Sequence, residues 1–421
     1  MKINFSQRLL SGFPTELRSN VSRYYLDISW WGLYGGATMA FLSIYATRIG
    51  ATPAQIGLMT ALPAAVQLLA SLPFAGLVKR LSPHRANWTG AFLARLLFAL
   101  YIFLPLLASR GVQVNAIILI GTLIAIPATL TGIAFNQLLM EAIPIDWRGT
   151  VVGVRNALYS IITFVVTVIS GQILTHVPFP LNYQIVFAIG FIGAIMTAYQ
   201  LWHVRPLKTL QGGTQPLEVG VGSPPASRLV IPWRSVVPRI NAQGQRYMQV
   251  LALLFLFNTV NNMVAPLVPG ILVNRLSLSD AWISIGTALN SMLLFLVSIY
   301  YTRGRLRSMY RQGTAVGAAL LALQAVVLAL ASNEALYILS VVIGGLGAGI
   351  LLTAQYNYHL ENIPDHERAV WLSWNLLLGN AAVLIGSLGG PQLALLTGVP
   401  AGLVLFGVIR LVIGVLIFRR G

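Results

Sequence analysis

Long apolar runs dominate the sequence and constrain its fold more than any other feature. A helix needs about 20 consecutive apolar residues to cross the hydrocarbon core of a bilayer. Twelve runs of this kind cover residues 26–47, 55–78, 87–108, 115–139, 150–175, 183–204, 247–271, 281–301, 313–331, 336–358, 369–393 and 399–418. Backbone groups in lipid must satisfy their own hydrogen bonds, so continuous runs predict helices and not the alternating strands of a barrel. We therefore expect an all-α membrane protein with about 12 transmembrane helices.

The composition supports the same class and excludes others. Of the 421 residues 57% are hydrophobic and only 9% are charged, whereas a soluble domain carries about 25% charged residues. The net charge of +17 would suggest nucleic acid as the partner of a soluble protein. Here the basic residues separate apolar runs, so we expect the chain to lie in the lipid bilayer and not to bind nucleic acid. The chain has no cysteine, which excludes disulfides and cysteine-ligated zinc.

Lysine and arginine residues are distributed unequally between the two sides of the predicted membrane. With a cytoplasmic N-terminus, 21 of the 27 bases fall in cytoplasmic segments, and only Arg48, Arg110 and Arg275 fall outside. This is the asymmetry that the positive-inside rule describes. We expect a multi-pass protein of the cell (inner) membrane, with its N- and C-termini in the cytoplasm.

The chain divides into four parts. Residues 1–25 mix bases with single apolar residues, which is typical of a cytoplasmic or interfacial segment and not of a signal peptide. Residues 26–204 form a first six-helix bundle and residues 247–421 a second one. The segment between them, 205–246, is basic and rich in glycine and proline, a composition typical of a flexible cytoplasmic linker.

The two halves repeat one another in sequence. Glu141-Ala-Ile-Pro-Ile-Asp-Trp-Arg148 recurs 220 residues later as Glu361-Asn-Ile-Pro-Asp-His-Glu-Arg368. Both copies follow the fourth span of their half. Transporters are commonly built from two such repeats, so we expect two pseudo-symmetric bundles.

These features resemble the major facilitator superfamily. The resemblance rests on the two six-span halves, the basic linker, the Pro-x-x-x-Arg turns, and the stretch Arg48-Ile-Gly-Ala-Thr-Pro-Ala-Gln-Ile-Gly57 before the second span. Two departures stand out. The loop around Lys79 and Arg80 lacks the family's acidic residue, and Gly171 is not followed by the proline typical of drug antiporters. The resemblance is therefore to the superfamily and not to a substrate class.

The resemblance implies a secondary transporter that moves a small organic solute by alternating access, with export favoured over uptake. Two alternatives stay open: an uptake facilitator for a neutral polar solute such as a sugar, and a receptor or scaffold on the same fold. An enzyme is not expected, because the five histidines are scattered and no nucleotide-binding or metalloprotease motif occurs. We expect no cofactor, no metal and a monomer.

The resemblance also implies that spans 1, 4, 7 and 10 line the central cavity, so their polar residues are candidate substrate contacts. Asn258, Asn261 and Asn262 stand at i, i+3 and i+4 and share one helix face; the alternative is hydrogen bonding between helices. Spans 1, 4 and 10 add aromatic or amide side chains, for which packing is the alternative: Trp30 and Tyr34, Asn136 and Gln137, and Tyr356 and Asn357.

Charged residues inside the apolar runs are few and are functional candidates. Asp27 is the only acid among them, and we expect it to carry the proton if protons are the coupling ion. The alternative is a structural acid at the helix start, paired with Arg23. Arg155 is a candidate contact for an anionic group of the substrate. For Arg95 and Arg410, which the resemblance places at the rim, snorkelling or a structural partner is expected.

The repeated turns suggest a gate. Glu141 with Arg148, and Glu361 with Arg368, are predicted to form cytoplasmic gate contacts matched by the pseudo-symmetry. The alternative is a clustering of exposed charges at helix ends, which contributes little energy for each pair.

Overall fold

A computed structural model describes residues 12–107, 109–206, 242–303, 309–364 and 368–420. The first half contains α1 (Thr15–Tyr34, a π-helical turn Gly35–Met39, then Ala40–Arg48), α2 (Pro53–Leu81), α3 (Pro83–Phe98, Leu100–Phe103), α4 (Arg110–Ala142), α5 (Ile145–His176) and α6 (Leu181–Trp202). The second half contains α7 (Ala242–Val264, Val268–Gly270, a π-helical turn Ile271–Arg275), α8 (Asp280–Arg303), α9 (Tyr310–Leu330), α10 (Glu334–Asn362), α11 (Arg368–Thr397) and α12 (Val399–Arg420).

Eleven of these helices are long and apolar enough to cross a membrane, among the described residues. The remaining one, α1, is more polar because it carries the basic residues that precede the first apolar run. It still packs between α5 and α6 along much of its length. The all-α fold class and its two-bundle arrangement of 12 helices are therefore confirmed in outline.

The first helix begins earlier than the sequence predicted. Residues 15–25, expected to belong to a separate interfacial segment, form the first turns of α1. They are held there because Leu17, Val21 and Tyr24 are buried against the end of α4 and the start of α5. Residues 1–11 lie outside the described part of the chain, as does 207–241 of the predicted linker.

Each half has its own apolar core. The first core includes the fully buried Phe41, Tyr45 and Phe187, and the second is centred on Phe257 and Phe406. The cores form because helix after helix presents an apolar face to its own bundle. The second core also includes Ile44 of α1, so the two bundles pack against each other across a shared interface.

The interface between the halves lies where α2 packs on α11 and α5 packs on α8. Arg48 at the end of α1 forms an ion pair with Asp280 at the start of α8, with 2.9 Å between Nη2 and Oδ1. About two helical turns into α2, the Thr60 hydroxyl donates to the Ser387 hydroxyl of α11 at 2.8 Å. We call this end of the molecule the Arg48 end, and the opposite end, where α4 turns into α5, the Arg148 end.

The halves separate toward the Arg148 end. Leu352 and Tyr356, one turn apart on α10, are 62% and 64% exposed. On α4, Gly132 and Asn136 are exposed, and nothing lies within 4 Å of the position that a Cβ on Gly132 would occupy. We call the space between the halves the cleft. It is closed at the Arg48 end and open at the Arg148 end.

Candidate functional site

A buried ion pair links the first helix to the fifth. Arg155 of α5 places its Nη1 3.0 Å from Oδ2 of Asp27, and the same nitrogen donates to the backbone carbonyl of Tyr24 at 3.0 Å. The guanidinium also lies over the rings of Tyr24 and Phe135, with 5.3 Å and 4.9 Å to the ring centres. The side chains of Arg155 and Asp27 are only 10% and 6% exposed. Such a pair is costly to bury and more costly to break.

A second arginine lies beside this pair. Arg95 of α3 is 7% exposed, donates from Nε to the Thr197 hydroxyl at 3.0 Å, and lies 5.0 Å above the Trp31 ring. Its terminal amino groups have no hydrogen-bond partner among the described residues. The cavity is thus lined by two arginines and one aspartate, of which only Arg155 contacts Asp27, and the group carries a net positive charge. We call Asp27, Arg95, Arg155 and the cavity they line the charged pocket.

The charged pocket has a volume of about 380 Å³. Its walls are contributed by α1, α3, α4, α5 and α6, with Trp31 and Phe135 as aromatic surfaces. Gly132 and Asn136, the exposed residues of α4 named above, lie at its rim. The pocket is therefore a largely apolar chamber inside the first half that holds three charged side chains.

The geometry corrects two expectations about these charges. Asp27 does not pair with Arg23, whose guanidinium donates to the Gln200 side chain at 2.9 Å, and it is not at a helix start. Because α1 begins at Thr15, Asp27 lies about 18 Å along the helix, at 1.5 Å per residue. Of the two accounts expected for Arg95, snorkelling and a structural partner, the structure shows a partner: the residue is buried, and its Nε donates to the Thr197 hydroxyl. The sequence could not show the position of Asp27 in the helix, because the apolar run begins 11 residues after the helix does.

A second cavity lies between the two halves. We call it the cleft pocket; it has a volume of about 300 Å³ and is bounded by α5, α8 and α10. Its polar lining is contributed by Asn156, Tyr159, Ser160, Thr163, Asn290 and Ser291. Sequence reasoning missed these residues because it searched spans 1, 4, 7 and 10. The i, i+4 spacing of Asn156 and Ser160 was the available signal.

The amides of α7 do not share one partner. The Asn261 side-chain oxygen accepts a hydrogen bond from Arg410 of α12 at 2.8 Å, and Arg410 also donates to the Leu321 carbonyl of α9 at 2.9 Å. Asn262 donates to the Asn258 carbonyl at 2.8 Å. Hydrogen bonding between helices therefore describes Asn261 in this structure, and Arg410 is a buried structural arginine and not a snorkelling one.

The other predicted contacts lie in different surroundings. Tyr34 is buried and stacks on Phe98, 4.4 Å between ring centres, so packing is its observed role. Trp30 is half-buried in α1, and Gln137 is half-buried beside Asn136. Tyr356 lies exposed in the cleft. Asn357 donates to the Thr353 carbonyl one turn earlier at 2.8 Å. The structure thus brings Asn136, Arg155 and Asp27 together and leaves the α7 amides apart from them.

The predicted gate residues lie at the Arg148 end. The Arg148 guanidinium donates to the carbonyls of Ile143 and Met140, at 2.9 Å and 2.8 Å, and so closes the turn between α4 and α5. Glu141 and Glu361 are exposed. Arg368 begins α11, and its side chain lies outside the described part of the structure. A gating role for these four residues stays a prediction.

Two six-helix bundles around a cleft that is closed at one end and open at the other are the architecture of a membrane transporter. The family model of the Major Facilitator Superfamily matches residues 30–323. The chain belongs to this superfamily.

Solved structures of transporters share the fold. The human organic anion transporter MFSD10 (TETRAN) is 14% identical with a TM-score of 0.64, over 96% of this chain and 100% of that one. The nucleoside transporter NupG is 12% identical with a TM-score of 0.63, over 97% and 99%. A bacterial homolog of the human lysosomal transporter Spinster, solved inward-facing and unoccupied, is 14% identical with a TM-score of 0.61, over 100% and 98%. No curated protein sequence matches. At these identities the likeness concerns the fold alone.

Proposed function

We propose that this protein is a secondary transporter that carries a small organic solute through the cleft by alternating access. The observation that carries the proposal is the asymmetry of the interface. Arg48–Asp280 and Thr60–Ser387 join the halves at one end, while α4 and α10 expose polar residues between the halves at the other. A rocking motion that breaks the first contacts and closes the open end would move the solute across the membrane.

The orientation and direction form part of the proposal. The charge asymmetry of the sequence supports an orientation in which the Arg148 end and both termini lie in the cytoplasm, and we propose the cell (inner) membrane as the location. In that orientation the cleft opens inward, the state in which an exporter loads its solute and an importer releases it. We favour export on the family resemblance alone.

The chain has no cysteine, so its orientation can be tested with single introduced cysteines. Cysteine at Gln215, which lies outside the described residues, should resist an impermeant maleimide applied to intact cells. Cysteine at the exposed Arg110 should react. Reaction at 215 but not at 110 would reverse the orientation.

The same absence of cysteine offers a reversible test of alternating access. The hydroxyl oxygens of Thr60 and Ser387 are 2.8 Å apart, so the double variant Thr60→Cys/Ser387→Cys should form a disulfide that locks the Arg48 end. A panel of solutes is first screened for binding by thermal shift, and those that bind are assayed for flux in proteoliposomes. Oxidation should stop flux in the double variant, and reduction should restore it.

The single variant Thr60→Cys is the matched control, since it cannot form the bond and should transport under both conditions. Unchanged flux in the locked protein would contradict passage through this end. Binding of solutes with no flux in any variant would instead favour the receptor or scaffold alternative.

A second candidate, an uptake facilitator for a neutral polar solute, is favoured by one feature. The cleft pocket contains amides and hydroxyls beside Leu294, Phe295 and Leu352, and such polar groups bind neutral hydroxylated molecules such as sugars. The structural neighbours that transport organic anions and nucleosides support only the wider class of small polar solutes. Flux of a sugar with no response to a pH gradient would favour the facilitator.

The most specific part of the proposal is that Asp27 carries the proton if transport is coupled to protons. Of the described carboxylates, only Asp27 lies far from a helix end, and its one ionic partner is Arg155. A group that loads and releases a proton within the membrane must be able to lose such a partner during the cycle. If a pH gradient drives flux in the parent protein, Asp27→Asn should abolish that drive while solute binding remains. A gradient that still drives the variant would make Asp27 purely structural.

A further inference from the structure

The charged pocket holds more positive than negative charge. Within the described residues it contains the guanidinium groups of Arg95 and Arg155 and the carboxylate of Asp27. A charge left uncompensated in the interior of a membrane protein is costly, which makes the pocket a candidate functional site. Arg95 of α3 contributes the surplus charge, and its side chain is buried inside the first half and does not face solvent or lipid.

The two arginines are occupied to different degrees. Arg155 is engaged by Asp27 and by the Tyr24 carbonyl. Arg95 uses only its Nε, which donates to the Thr197 hydroxyl. A guanidinium presents five N–H donors in a planar fork that matches the two oxygens of a carboxylate or the oxygens of a phosphate. The remaining donors of Arg95 are therefore available in a cavity that is otherwise bounded by protein.

The surroundings of the arginines add a second requirement on a ligand. Trp31 and Phe135 form aromatic walls below the two guanidinium groups, and the cavity of about 380 Å³ is within the range of small-molecule sites. A ligand that matches both features has one anionic group and a compact apolar or aromatic body. Asn136 at the rim can hydrogen-bond to a polar substituent.

We propose that the charged pocket is the binding site for a small organic monoanion, whose charged group is held by Arg95 and shared with Arg155. This inference rests on the proposed transport function and names its substrate class. One bound negative charge would balance the one surplus positive charge. Asp27 would then compete with the ligand for Arg155, so the bound anion weakens the ion pair between α1 and α5.

The competition gives a test in which two charge changes act in opposite directions. Binding is measured by calorimetry on the purified full-length protein with three pairs of probes: benzoate and benzamide, 2-naphthoate and 2-naphthamide, and benzenesulfonate and benzenesulfonamide. We expect at least one anion to bind about tenfold or more tightly than its neutral partner. That preference should fall by about tenfold in Arg95→Gln, since charge-assisted hydrogen bonds to the anion are lost.

Asp27→Asn should do the opposite and strengthen anion binding severalfold, because it removes the internal competitor for Arg155. A merely structural role for the cluster would weaken binding in both variants. Arg110→Gln is the matched control, since it removes one positive charge from an exposed position of the same half and should leave the preference unchanged. If no anion is preferred over its neutral partner, or if Asp27→Asn does not strengthen binding, the proposal is wrong.

A phospholipid headgroup carries the same kind of charge, so the measurement is repeated in phosphatidylcholine nanodiscs with and without phosphatidylglycerol. A soluble anion should bind in both. Occupation by phosphatidylglycerol alone would overturn the assignment to a solute. Because binding needs no flux, an anion preference in a protein that fails to transport would support this site and contradict only the transport function. Flux confined to neutral solutes, with no preference for anions in binding, would support the transport function and contradict this site.

Discussion

The two halves share a helix order but use their buried arginines in different ways. In the first half, Arg155 faces a carboxylate, and Arg95 keeps donors free in a cavity. In the second half, Arg410 is directed at the Leu321 carbonyl and at the backbone and side-chain oxygens of Asn261. The first arrangement can exchange partners, whereas the amino groups of Arg410 bond to fixed oxygens of neighbouring helices and its buried Nε has no partner among the described residues. From the proposals above we expect chemistry that responds to a ligand or a proton to be concentrated in the first half.

The largest expected effect comes from breaking the ion pair of the first half. Arg155→Gln leaves Asp27 buried without its cation, and we expect a loss of about 3–5 kcal/mol in the free energy of unfolding. Adding Asp27→Asn removes the stranded charge and should restore most of that loss. Denaturant unfolding of the parent, the single and the double variant in detergent measures both steps. Equal stability of the single and double variants would show that the unpaired Asp27 carboxylate does not cause the loss of unfolding free energy.

The corresponding change in the second half should cost less. Arg410→Gln removes hydrogen bonds to carbonyls but leaves no opposite charge behind, so we expect a loss of about 1–3 kcal/mol. The same unfolding experiment compares it directly with Arg155→Gln. A larger loss for Arg410→Gln would reverse the contrast between the two halves.

The contact that joins the halves should contribute little to stability and more to conformation. Arg48 and Asp280 are partly exposed, with side-chain exposures of 31% and 11%, and such pairs typically contribute about 0–1 kcal/mol. We expect Arg48→Ala to lower the melting temperature only slightly but to open the Arg48 end more often. Maleimide reaction of a cysteine at Ser387, buried in the parent, reports the opening.

The exchange variant Arg48→Asp/Asp280→Arg provides the control for this pair. It should slow the reaction of the cysteine at 387 again, because the attraction is rebuilt with reversed charges. Equally fast reaction in the exchange variant would mean that charge does not hold this end closed.

The smallest effect separates two roles for one amide. The sequence predicted that Asn261 contacts substrate, whereas the structure places its side chain on Arg410. Loss of a hydrogen bond between membrane helices costs on average about 0.6 kcal/mol, so Asn261→Ala should lower stability by roughly this amount and leave solute affinity intact. Lower affinity with unchanged melting would restore the substrate role and would extend the binding site into the second half.

The sequence by itself determined the class, the number of helices and the division into halves. Those features depend on the length of apolar runs and on the position of the bases, and both are local properties of a chain that must satisfy its backbone in lipid. The repeat around Glu141–Arg148 and Glu361–Arg368 was visible for the same reason, since each copy is a contiguous segment.

Only the tertiary structure decided which charges meet. Asp27 lies 128 residues from Arg155, and no periodicity within one helix can show that α1 and α5 bring them together. The start of α1 at Thr15 was hidden as well. The polar residues before the apolar run do not prevent a helix there, because the apolar residues among them are buried against neighbouring helices. The partners of Arg95, Arg410 and Asn261 were decided in the same way: a helix sequence sets which face a residue occupies, and packing sets what lies opposite that face.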